Sequence, residues 1–116
     1  MLHSDYVNLS IVCKENNIPI KKVLNINSKD NINWIRKLSP DIIFCFGLSQ
    51  LIKKDLLDLT SLGVIGYHPS LLPQNRGRHP LIWPLVLGMK ETGSSFFFMD
   101  EGADSGDILS QEKIKI

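Results

Sequence analysis

A chain of 116 residues, 43% of them hydrophobic, has room for one domain and one core. Its net charge of +1 gives no electrostatic case for nucleic acid or an anionic membrane surface, and no apolar run is long enough to span a bilayer. Cys13 and Cys45 form no CxxC pair and the N-terminus lacks a signal-peptide pattern, so the expectation is a cytoplasmic protein with two reduced, buried thiols.

In chain order, residues 6–16 are predicted to be helical, with Val7, Leu9, Ile11, Val12 and Cys13 at roughly helical spacing and Pro19 beyond the stop. Residues 20–25 read as a short strand. Ser28 or Asp30 caps a helix running to about Leu38, with Ile32, Trp34 or Ile35, and Leu38 turned inward. Residues 42–46 are a continuous apolar strand, a pattern that suits helices on both faces. A helix over 51–59, a strand over 64–67 and a turn-rich loop over 69–79 follow, and Pro80 opens a helix to about Leu87. Residues 94–99 and 108–116 form two strands joined by an acidic, Gly-spaced loop. This order predicts a single α/β domain over 1–116, with a mainly parallel sheet and a C-terminal β-hairpin.

Two positions carry the chemistry. His68 closes the apolar stretch 62–67, and Asp104 lies in the tight loop that follows the apolar run 96–99. Each is expected at the end of a parallel strand, where open α/β sheets bind ligands in a crevice. A lone His beside a strand end is more often structural, so the case needs the residues around it. The acidic loop does not fit calcium. Counting from Asp100, the third position is Gly102, the sixth Ser105 and the twelfth Gln111, where an EF-hand needs an oxygen ligand, Gly and an acid. No metal is expected, and Gly102 and Gly106 permit sharp bends.

His68, Ser70, Leu71, Leu72 and Pro73 match the His-x-Ser-Leu-Leu-Pro signature of the folate-dependent formyltransferases. That superfamily includes methionyl-tRNA formyltransferase, glycinamide ribonucleotide transformylase and the sugar N-formyltransferases. Gly77 and Pro80 to Trp83 resemble the Gly and helix start that follow the signature, and Thr92-Gly93 the opening of the next strand. The stretch from Asp100 to Ile108 resembles the loop of the catalytic Asp, and the interval 104 − 68 = 36 agrees with the family's spacing. Residues 40–47 resemble the strand before the cofactor loop. The resemblance runs along most of the chain.

The resemblance implies a Rossmann-like fold and transfer of a formyl group from 10-formyltetrahydrofolate to a primary amine. An amino-sugar nucleotide is the first expected acceptor and methionyl-tRNA the second. His68 would act as general base, or as an imidazolium facing the oxyanion, with Asp104 orienting the ring or a water. Phe46, Gly47, Leu48 and Ile52 would line one side of the folate pocket, and Asp100, Gly102 and Ala103 the other. Ser70, Asn75, Arg76 and Gly77 would form the substrate loop, with Arg76 and Arg78 available to phosphates.

Two departures set further expectations. The family carries Asn two residues before the His, where this chain has Gly66. Loss of one oxyanion donor typically costs about 10²–10³ in rate, so a backbone N–H, a water or the Asn75 side chain is expected to stand in. The family's opening strand–helix–strand unit has no counterpart here, which implies an N-terminally truncated domain. The strand over 42–46 would then have a bare edge, to be covered by residues 20–25 or by a second chain in a homo-oligomer. Two other readings stay open: a catalytically silent truncated homologue serving as a folate-binding or assembly module, and a formyltetrahydrofolate hydrolase with water as acceptor.

Overall fold

The computed structural model describes residues 7–116. The elements are α1 (Leu9–Glu15), α2 (Lys29–Leu38), β1 (Ile43–Cys45), α3 (Lys54–Leu57), β2 (Val64–His68), α4 (Ile82–Val86), β3 (Glu91–Phe98) and β4 (Ile108–Lys115). They build an α/β fold around one four-stranded sheet of order β1-β2-β3-β4.

The parallel character expected of the sheet is confined to β1–β2; β3 runs antiparallel to β2, and β4 antiparallel to β3. The reason lies in the connection after β2. Its last residue, His68, pairs with Ser95, the first β3 residue in the ladder with β2. The loop and the five-residue α4 therefore leave and return at one end of the sheet, without the crossover a parallel strand needs.

Alternation along the strands separates two faces. Val64, Gly66 and His68 share one face with Ser95 and Phe97, their neighbours across β3. Ile52, Leu56 and Val64 form the buried centre on this side, flanked by Ile26, Ile35, Ile43, Cys45 and Met99. The opposite face carries Phe44, Tyr67, Phe96 and Phe98, all partly open to solvent. Tyr67 and Phe96 stack with ring centroids 5.1 Å apart, and Phe46 meets Phe96 edge-on at 6.1 Å. The expectation of a strand covered on both faces thus holds for one face only among the described residues.

α2 begins where expected, with the Ser28 side chain accepting from the Asn31 N–H at 3.2 Å. Ile32 is buried and Ile35 packs against the core, whereas Leu38, expected inward, is exposed. Residues 20–25 form no strand. The Gln50 side chain donates to the Leu24 carbonyl at 2.8 Å and accepts from the Ile26 N–H at 3.1 Å, so one amide satisfies the backbone that a neighbouring strand would otherwise pair. This segment does not cover β1, which is an edge strand among the described residues.

The helix expected over 51–59 shrinks to Lys54–Leu57 for a related reason. The Asn27 side chain donates to the Leu51 carbonyl and accepts from the Lys53 N–H, at 2.9 and 2.8 Å, and holds that stretch extended.

Candidate active site

His68 ends β2 with its side chain only 8% exposed, and Asp104 reaches it from the 99–107 loop at 23% exposure. His68 Nδ1 and Asp104 Oδ2 are 3.5 Å apart. The two residues do meet, although not as the ends of two parallel strands: the loop after antiparallel β3 folds back over the face that bears His68. Asp104 takes a left-handed backbone with φ 51°, which Asp tolerates better than most residues.

The loop over 69–79 grips both groups. His68 Nε2 lies 2.9 Å from the Asn75 carbonyl, which only accepts, so Nε2 carries a hydrogen and Nδ1 is the atom turned to the carboxylate. Two residues later the Gly77 N–H donates to Asp104 Oδ2 at 3.0 Å. Gly77 adopts φ 84°, a backbone that a residue with a Cβ adopts only under strain.

A buried polar clamp seats this loop on the hairpin. Ser95 is fully buried; its hydroxyl donates to the Ser70 carbonyl at 2.7 Å and accepts from the Leu72 N–H at 3.3 Å. Gln111 on β4 donates to the Leu72 carbonyl at 3.0 Å and to Ser95 Oγ at 2.9 Å. Ser95 and Gln111 escaped the sequence reading. Their one signal is a polar residue set among strand positions, which does not say what it bonds.

The residues expected to form a substrate loop divide. Ser70, at 0% exposure, donates to the Gln74 carbonyl at 2.7 Å and closes the turn, so its hydroxyl faces protein and not solvent. Asn75 contributes its carbonyl to His68, while its side-chain amide turns to the Met89 sulfur at 3.8 Å. It therefore does not stand in for the amide missing at Gly66. Arg76 and Arg78 are exposed.

The residues expected at the cofactor divide as well. An open cleft of about 500 Å³ lies between α3 and the acidic loop, lined by Lys54, Leu57, Asp58, Met99, Asp100 and Gly102 among others. Asp100 also braces its own loop, accepting from the Gly102 N–H at 2.9 Å and the Ser105 hydroxyl at 2.7 Å. Ala103 is exposed on that loop. Phe46, Gly47 and Leu48 lie outside the cleft lining, with Phe46 and Leu48 exposed and Gly47 at φ 67°. Ile52 is buried in the core cluster and supports the segment from beneath. Lys54 hydrogen-bonds Asp58, which holds its ammonium above the usual lysine range.

Among the described residues no helix is long and apolar enough to cross a membrane. The formyl transferase family matches residues 10–116. Methionyl-tRNA formyltransferase of Clostridioides difficile (strain 630) is 36% identical over 102 residues, 88% of this chain and 33% of that protein. The enzyme of the same name from Pelotomaculum thermopropionicum is 41% identical over 100 residues, 86% of this chain and 32% of that protein. The crystal structure of phosphoribosylglycinamide formyltransferase from Bacillus halodurans superposes with a TM-score of 0.74 at 30% identity, over 89% of this chain and 57% of that one. The chain spans about a third of the length of the curated relatives it matches. The family match takes in His68, the loop that grips it and Asp104 together, and it leaves out only the first nine residues: this chain belongs to the formyl transferase family.

Proposed function

We propose that this chain carries the reacting centre of an enzyme that transfers a formyl group from 10-formyltetrahydrofolate to a primary amine. The observation that carries the reading is the His68–Asp104 pair at 3.5 Å, held by one loop; the loop that carries Asp104 also lines an open cleft through Asp100 and Gly102. In such a transfer the amine attacks the formyl carbon, charge grows on the formyl oxygen and a proton leaves the attacking nitrogen; as the oxyanion collapses, the bond from the formyl carbon to N10 breaks and N10 takes up a proton, releasing tetrahydrofolate. His68 Nε2 is engaged by the Asn75 carbonyl, so Nδ1 is the atom that takes the proton. Asp104 then faces the resulting imidazolium and stabilises it. Its own position is set by the Gly77 N–H.

The cleft fits the donor's flat, polar-edged ring. Leu57 and Met99 supply apolar walls, and Asp58 and Asp100 supply acceptors for ring N–H groups. Exposed Phe46 and Leu48 offer further apolar surface near β1. For the acceptor, the names of the curated relatives favour methionyl-tRNA. A structural neighbour, the sugar N-formyltransferase from a Shewanella species at 26% identity and TM-score 0.68, supports an amino sugar. Calorimetry with a non-transferring tetrahydrofolate analogue tests the donor assignment. Saturable binding that Asp100→Lys weakens is expected; a folded protein that gives no heat at millimolar ligand contradicts it.

A further inference from the structure

Gly66 sits two residues before His68 on the same face of β2, directly across from Phe97 on β3. Its φ lies outside the left-handed region, so the backbone does not ask for glycine here. The neighbours do. A Cβ at position 66 would stand 2.8 Å from Phe97 Cζ, 2.9 Å from Phe97 Cε1 and 2.9 Å from Met99 Cγ. Phe97 is 2% exposed and has no solvent side to swing into. The β3–β4 register shifts between Phe96 and Phe97, the kind of bulge that re-aims a side chain beside a site.

We propose that Phe97 is a positioning residue for the chemistry at His68: its ring holds position 66 to glycine and keeps any side-chain hydrogen-bond donor out of that flank. The family's amide is then not merely missing; its place is filled. Charge growing on the formyl oxygen meets hydrocarbon on this side, and the polar work falls to His68, Asp104 and the loop backbone. This inference rests on the formyl-transfer reading for its chemical meaning, while the steric coupling between the two residues can be measured without it.

The test is a double-mutant cycle in the full chain, read by chemical denaturation and by turnover of 10-formyltetrahydrofolate. Gly66→Ala is expected to lower the folding constant by about tenfold or more beside Phe97, and by at least about threefold less in the Phe97→Ala background, where only the contact with Met99 remains. Phe97→Leu replaces Phe97→Ala should the latter not fold. Additive effects overturn the coupling. Gly66→Asn combined with Phe97→Ala is expected to raise kcat by about tenfold or more over Phe97→Ala alone, with KM within about twofold. An unchanged kcat in a folded double variant overturns the role given to Phe97. If no variant consumes the folate yet the coupling is intact, the formyl-transfer reading has failed and takes that role with it.

Discussion

Asn75 and Gly77, two residues apart, hold His68 and Asp104 in place: the carbonyl of one meets His68 at 2.9 Å and the N–H of the other meets Asp104 at 3.0 Å. The distance between imidazole and carboxylate is therefore a property of this loop as much as of the sheet. Whatever loosens the loop is expected to disturb both groups at once.

Gln111 is the remote handle on that loop. Its amide donates to the Leu72 carbonyl and the Ser95 hydroxyl, and Gln111→Met removes both bonds. The expected loss of stability is about 1–2 kcal/mol. Amide exchange at Asn75 and Gly77 should accelerate more than exchange in β2. Equal acceleration in loop and strand would show that Gln111 supports the whole sheet and has no particular hold on the loop.

Thr92 gives a prediction of opposite sign. Its hydroxyl is buried on β3 without a hydrogen-bond partner. Thr92→Val keeps the branched shape suited to a strand and removes the unsatisfied group, so stability should rise by roughly 1 kcal/mol. A fall in the denaturation midpoint would mean that the hydroxyl is satisfied in solution.

Cys45 links the core to pH. Burial pushes its thiol above the usual thiol range. The folded state then holds a proton that the unfolded chain releases, so stability declines as pH rises past the ordinary thiol value of about 8.5. Cys45→Ala should flatten that decline relative to the parent chain, in denaturation curves collected from pH 8 to about 10.5. Parallel curves for the two proteins would contradict the assignment. Alkylation at Cys45 should also be slower in the folded protein than in urea.

The meeting of His68 and Asp104 was more legible in the sequence than the fold around them. His68 and Asp104 stand in segments with their own residue pattern and spacing, and such a pattern can be read along the chain. The direction of β3 was not legible, because an apolar run such as 96–98 looks the same whichever way it pairs. Residues 20–25 looked like a strand by composition; the Gln50 amide that satisfies their backbone lies some 25 positions away, beyond any local pattern. Ser70 looked available to substrate because burial depends on what the loop packs against, and here that is Ser95 and the hairpin. Gly66 read as a lost amide. The ring that occupies its flank belongs to another strand, and pairing across a sheet is the kind of relation a linear reading misses.

The most direct test of the account is formyl transfer by the full chain and by its His68→Gln and Asp104→Asn variants, with 10-formyltetrahydrofolate as donor and methionyl-tRNA or an amino-sugar nucleotide as acceptor. The account predicts formylated amine from the parent chain, and a fall in kcat of about 10²–10⁴ in each folded variant, with KM for the folate little changed. Both variants retaining the parent rate, or a folded parent chain that formylates neither acceptor, would contradict it.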